Sequence, residues 1–325
     1  MALHLYQPLS RRLAALMLFC LVSAVQAQSG TIKIVVGYPP GATSDTLTRL
    51  LADGMSKRLN QPVVVENKTG AGGQLGNLAV KAAAPDGNTL LMTPVATMSI
   101  FPHSFAGRLN YDPFKDFTAV AHLSNFQLGL GVSTQVPAQK LSEYVAWVKS
   151  DPAKNAFYGS AANGSLPHFF GVMFGKSAGI SLQHVPYRGT AASMQALASG
   201  EIMALSTVAA DIKTLVQSNK ARLLAVAGDQ RSAHFPDVPT FKEQGYDLSA
   251  IAWYGLFAPA STPAPIIQRL AKAAMDTIQD TTLHQRLNEQ GLEPTGWGPE
   301  RMAAIMKADF ERWGPPIKAS GFKPD

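Results

Sequence analysis

The chain is almost without cysteine: of 325 residues only Cys20 is one, and it lies in an N-terminal stretch that reads as a leader. The rest can form no disulfide and use no thiol chemistry. The seven histidines, at 4, 103, 122, 168, 184, 234 and 284, contain no pair at metal-ligand spacing. A metal site and a resident cofactor are therefore not expected. Charge is sparse too, at 15% of residues, with no charge run, repeat or low-complexity tract. The net charge of +6 falls to +4 once Arg11 and Arg12 leave with the leader, and the remaining basic residues are spread along the chain. That excludes a nucleic-acid footprint and favours an anionic ligand only weakly. There is no G-x-G-x-x-G fingerprint, no P-loop lysine, no G-x-S-x-G elbow, no H-E-x-x-H helix and no kinase set. A Ser-His-Asp triad can hide in any chain, but nothing nominates a serine.

Residues 1–27 read as a secretory leader: Arg11 and Arg12, an apolar run over 13–22, then Val25-Gln26-Ala27 as a cleavage site. Ser10-Arg11-Arg12 is a poor match to twin-arginine export. No later run is long and apolar enough to cross a membrane, so the expected product is soluble and exported to the periplasm. With 46% apolar residues, the remaining chain can bury a large core and divide into two domains.

Residues 31–45, TIKIVVGYPPGATSD, carry the clearest local signal. The run over 31–36, β-branched apart from Lys33, predicts a mostly buried strand, and Pro39, Pro40 and Gly41 stop it. Leu47, Leu50, Leu51, Met55 and Leu59 then recur at helical spacing. Ser44 or Thr43 is placed to cap that helix, with Asp45 in its first turn. A strand feeding a glycine turn and a helix N-terminus points unpaired backbone N–H groups at one spot, which suits an anion. The alternation continues with strands at 62–66 and 89–92 and a helix between them, the pattern of a parallel sheet with crossover helices. The loops after Val36, Glu66 and Thr93 should share one edge, where ligands of such sheets bind.

A strand at 127–133 is positioned to carry the chain into a second domain. There, strands at 155–159, 182–185, 203–207 and 221–226 alternate with helices, and Asp211 falls in the helix after the third. A strand at 251–257 and helices over 265–279, 282–290 and 299–318 finish the chain. The first domain lacks helices to cover its sheet, so these are assigned to it. The expected division is residues 28–126 with 250–325 in one lobe and 127–249 in the other. Two crossings make a hinge with a cleft between the halves.

Ser160, Asn163, Gly164 and Ser165 supply hydroxyl, amide and backbone donors ahead of a helix, and Arg188, Gly189 and Thr190 repeat the arrangement. Either set also reads as a plain helix cap. His168 is a pocket group or a satisfied surface residue. Trp253, Tyr254 and Phe257 are core or the apolar wall of a cleft, and Phe101 and His103 carry the same two readings.

Seven segments together resemble the substrate-binding receptors of tripartite tricarboxylate transporters, the Bug-type family. They are YPPGATSD at 38–45, VVVENKTGAGG at 63–73, APDGNTLL at 84–91, DPFKDF at 112–117, HVPYRG at 184–189, WYGLFAPASTPAP at 253–265 and RWGPPIKASG at 312–321. The resemblance implies a non-enzymatic, two-lobed α/β periplasmic binding protein of the second structural type. Each lobe would be a mixed, mostly parallel sheet flanked by helices, joined by a two-strand hinge. Such a protein closes on a small carboxylate, aliphatic or aromatic, and presents it to the membrane permease subunits. It is expected to act as a monomer. The contacts implied are Tyr38, Pro40, Gly41, Ala42, Thr43, Ser44, Asp45, Thr93 and Thr97 in the first lobe, and Ser160, Asn163, Gly164, Ser165, His168, Tyr187 and Thr207 in the second. The sequence departs from the family pattern at Ala42, where a second glycine is usual, and at Phe101-Pro102, where Asn-Pro is frequent. Two alternatives stay open: an exported hydrolase or lyase using the same cleft, and a receptor feeding a membrane sensor.

Overall fold

The computed structural model describes residues 30–324, so the expected leader lies outside the described residues. Strands β1 (Ile32–Val36), β2 (Val63–Asn67) and β3 (Thr89–Pro94) run parallel, with Ile34 beside Val65 and Leu90. Their buried β-branched and leucine side chains suit a sheet covered on both faces. The loops that follow them share one edge, as the pattern of residues requires.

The organising element is β4 (Phe117–Ser133), 17 residues long and buried along most of its length. Residues 117–127 pair antiparallel with β9 (Ile251–Pro259). Residues 128–133 pair instead with β7 (Ala204–Val208) and β8 (Ala221–Val226). With β5 (Phe157–Ser160) and β6 (Gln183–Pro186), this creates two sheet sections built in one order. The first reads β2-β1-β3-β9-β4 and the second β6-β5-β7-β4-β8. No repeat in the sequence announces this correspondence, because strand order depends on which edges pair and not on residue identity. Strand β10 (Glu293–Trp297) adds to β4 in the first section through an irregular register. Pro294 and Gly296 hide it from a reading by propensity.

Helix α1 (Thr43–Leu59) packs against α9 (Ala264–Ile278), where Gly54 makes room for Thr277: a Cβ on Gly54 would lie 2.2 Å from its methyl. Helix α2 (Gln74–Lys81), a π turn (Ala96–Ile100), α3 (Phe101–Ser104) and α11 (Pro299–Ala319) also belong to the first section. The turn and α3 were not expected from the residue pattern. Trp253 and Phe257 point to the α11 side as core, the Trp253 indole donating to Asp309 Oδ2 at 2.7 Å. Between the crossings lie α4 (Leu141–Ser150), α5 (Pro152–Asn155), α6 (Leu166–Ser177), α7 (Thr190–Ser199) and α8 (Lys213–Gln217), while α10 (Thr281–Glu289) precedes β10. Asp211 is not helical, contrary to expectation. It sits in the turn before α8, where its own N–H bonds Val208 O at 3.0 Å and Lys213 N bonds Ala210 O at 3.2 Å. Among the described residues no helix is long and apolar enough to cross a membrane.

Candidate functional site

The carboxyl ends of β1, β2 and β3 and those of β5, β6 and β7 face one another along β4. Ser124 of β4 pairs with Tyr254 at the edge of the first section, and Leu128 pairs with Val208 at the edge of the second. Four residues of strand separate the two rims, a gap of roughly 13 Å at about 3.3 Å per residue. That is room for a small organic acid and its hydrogen bonds.

The first rim is shaped by Asp45. Its nearly buried carboxylate accepts from Gly41 N at 2.9 Å, from Arg49 Nε and Nη2 at 2.9 Å each, and from Asn67 Nδ2 at 2.8 Å. Burial opposes its ionisation, but these hydrogen bonds and the Arg49 charge prevail and hold the carboxyl below its usual range. Asn67 also donates to Tyr38 O at 3.0 Å, and the Tyr38 phenol donates to Gly72 O at 3.0 Å. Gly41 adopts φ +83°, which a side chain would strain. Asp45 is thus engaged in holding the loop against its helix. The expected cap at Thr43 or Ser44 is corrected to Ala42, which makes no side-chain cap, because both hydroxyl residues lie inside the helix. The amides of Thr43, Ser44 and Asp45 have no intrahelical acceptor. Pro40 and Gly41 are exposed beside them.

Thr93 and Thr97 are brought together beneath this rim, their hydroxyls 2.6 Å apart and both buried, with Tyr111 Oη donating to Thr97 O at 2.6 Å. Burial raises the Tyr111 phenol well above its ordinary value.

On the second rim, the turn after β5 closes on itself. Ser165 caps α6, accepting from His168 N at 3.4 Å and donating to Ala162 O at 2.7 Å. Gly164 N donates to His168 Nδ1 at 3.1 Å, and the hydroxyl of Ser160 contacts His184 Nε2 at 2.7 Å. The His168 and His184 rings stack at 3.8 Å. Burial pushes His168 down to about 4, and burial together with His168 pushes His184 down to about 3, so both are neutral. His168 is therefore a buried brace of the turn, a role neither expectation included. Gly164 and its neighbours press on the first section: Ser104 Oγ donates to Gly164 O at 3.2 Å, and Phe322 meets the His168 and Phe169 rings edge-on. Ser160 beside His184 superficially resembles a nucleophile with its base, but Ser160 is fully buried and His184 has no carboxylate partner among the described residues.

The turn after β6 is different. Gly189, at φ +97°, precedes α7 without a side-chain cap, and Arg188, Gly189 and Thr190 are exposed. Tyr187 turns away from the gap, its ring over Gly159 and its Oη donating to Glu201 at 3.0 Å. Thr207 is buried opposite Gly129 of β4.

Two residues near the gap were not among the contacts that the resemblance implied. The ring of Tyr254 of β9 lies tilted against Phe126 at 4.7 Å, and its phenol, raised by burial, lies within electrostatic range of both Asp211 and Tyr38. Asp211 itself, in the turn after β7, is raised to about 6 by burial. Tyr254 stood in the sequence beside Trp253 with core or cleft wall left open, and strand alternation separates the two faces. Asp211 carried no signal on its own. A separate groove of 690 Å³, lined by Lys213, His234, Gln279, His284 and Asn288 among others, mixes groups of both charges and favours no ligand class.

Comparison with known proteins agrees with this architecture. A protein of Cupriavidus necator, described as a UPF0065 protein in the gbd 5' region, is 36% identical over 263 residues, covering 81% of this chain and 79% of its own. The structure of MatC from Rhodopseudomonas palustris with bound malate superposes with a TM-score of 0.79 at 31% identity, over 88% of this chain and 98% of that one. R. palustris Rpa4515 with adipate gives a TM-score of 0.85 at 26% identity, over 92% of this chain and 100% of that one. Residues 47–322 match the family described as the tripartite tricarboxylate transporter family receptor, so the chain belongs to that family of receptors and is not an enzyme.

Proposed function

We propose that the chain is a periplasmic solute receptor that captures a small carboxylate between its two sheet sections and delivers it to the permease of a tripartite tricarboxylate transporter. The observation that carries this reading is the pair of facing rims with uncapped helix ends, α1 behind Ala42 and α7 behind Gly189. Malate and adipate in the two relatives give the ligand class. In this reading residues 28–126 and 250–325 move as one lobe and 127–249 as the other, flexing where β4 passes from one set of partners to the next. The amides of Thr43 and Ser44, those of Thr190 and Ala191, Arg188 and the Thr207 hydroxyl supply the donors. A micromolar ligand needs about 8 kcal/mol. A hydrogen bond to a charged group yields roughly 1.5–3 kcal/mol, so four to six such donors suffice before the cost of closure.

Thermal unfolding with a panel of mono-, di- and tricarboxylates, aromatic ones included, tests the reading. A ligand at 100 times its dissociation constant stabilises by about 2.7 kcal/mol. Scattering at small angles should then show a smaller radius of gyration. No stabilisation by any member of the panel would overturn the proposal. Sequencing of the exported protein should find its N-terminus at Gln28.

A further inference from the structure

The ends of β3 and β7 are built alike and differ at one place. Thr93 on β3 lies opposite Gly255 of β9, and Thr207 on β7 lies opposite Gly129 of β4. Each threonine therefore borders a glycine on the neighbouring antiparallel strand. Four residues later come Thr97 in the first section and Asp211 in the second. Thr97 answers Thr93 with a hydroxyl contact of 2.6 Å and is buried. Asp211 is half-buried, and its carboxyl has neither a hydrogen bond nor an ion pair among the described residues.

The Tyr254 phenol, on β9 opposite Ser124, interacts electrostatically with both this carboxyl and the Tyr38 phenol of the first rim, and it too makes no hydrogen bond among the described residues. Three polar groups from three elements thus converge on the gap, and two of them are unengaged. A carboxylate partly shielded from water without a counter-charge carries a desolvation cost. It is sustained where a ligand brings the missing positive charge. The uncapped ends of α1 and α7 favour the opposite sign. A ligand that satisfies both carries a carboxylate at one end and a cation near Asp211.

We propose that Asp211 is the specificity residue of the cleft: its carboxylate and the Tyr254 phenol oxygen take the ammonium of an amino-substituted carboxylate, and it repels ligands that would set a second carboxylate there. This deepens the receptor reading and rests on it. The test is calorimetry on the purified exported chain and on Asp211→Asn. One ligand series is succinate, malate and aspartate, which differ only in the substituent on one carbon; the second is adipate with 2-aminoadipate. In the unaltered protein the amino member of each series should bind at least about tenfold tighter than the unsubstituted one. Asp211→Asn should bring that ratio near unity and strengthen binding of the unsubstituted acids. The variant should melt at the same temperature or higher, since an unpaired carboxylate is removed, and Asp211→Ala should agree in direction. A clear drop in melting temperature in both variants would mean that the carboxyl has a structural partner, which overturns the assignment. A preference for succinate or malate over aspartate in the unaltered protein, or an amino preference that survives Asp211→Asn, would also overturn it while leaving the receptor reading in place. Absence of binding by every acid to both proteins would overturn both.

Discussion

The two sheet sections share one strand order, yet their rims are stabilised by different chemistry. After β1, the loop is held by an ionised carboxylate: Asp45 gathers Gly41, Arg49 and Asn67, and the helix end stays uncapped. After β5, the loop is held by neutral groups: Ser165 caps its helix, and two stacked, uncharged histidines fill the space behind it. The first leaves the amides of Thr43, Ser44 and Asp45 without an intrahelical acceptor, whereas in the second the His168 amide is taken by Ser165 and the turn touches the first section through Ser104, Gly164 and Phe322. Equivalent positions in a duplicated strand order need not have equivalent roles. What a rim can offer a ligand depends on which of its donors are already engaged.

The largest effect should come from breaking the charged rim. Asp45→Ala leaves Gly41, Asn67 and Arg49 without their shared acceptor and should lower stability by about 2–3 kcal/mol, with weaker ligand binding. Urea unfolding and calorimetry measure both. An unchanged midpoint would remove Asp45 as the organiser of the loop.

Acid should separate the rims. A histidine buried in neutral form has its folded pKa depressed, so the unfolded chain binds more protons below about 6.5 and stability falls as pH drops toward about 4. Asp45, whose folded pKa is lowered, keeps its contribution until pH falls below the ordinary carboxylate range, about 3.8. Protection of the amide against exchange, taken relative to the intrinsic rate at each pH, should therefore fall at Gly164, whose acceptor is His168, between pH 6.5 and 4, while Gly41 stays protected. Equal loss at both glycines would contradict the division.

Transplanting the cap sharpens the comparison further. Ala42→Ser gives α1 the side-chain acceptor that α6 already has, and should add about 1 kcal/mol of stability while weakening carboxylate binding, because the new hydroxyl competes for the free amides. The reverse change, Ser165→Ala, should cost roughly 0.5–1 kcal/mol and leave affinity nearly unaltered. A large loss of affinity in Ser165→Ala would place its hydroxyl on the ligand after all.

Much of this was accessible from residue order. The strands at 62–66, 89–92 and 221–226 and the three closing helices follow from apolar periodicity interrupted by glycine and proline. Three features were hidden for identifiable reasons. β4 extends back to Phe117 because β9 offers it an edge, and an edge is a tertiary fact. Tyr187 looks like a rim residue beside Arg188, but its ring packs over Gly159 and its hydroxyl bonds Glu201. Asp211 means nothing in a line of sequence, because its counterpart Thr97 is recognisable only once β3 and β7 are paired with their glycines.

Local physical chemistry, then, was determined by the sequence: where strands stop, which helices follow glycine turns, the lack of any cysteine beyond Cys20 and of familiar catalytic motifs, and the seven segments that resemble one receptor family. Tertiary structure decided which polar groups are available. A serine, histidine or aspartate has the same donors and acceptors wherever it stands, but whether they are satisfied by the chain itself or left facing the gap depends on partners distant in sequence, and those are brought within reach only when the sheet sections close around β4.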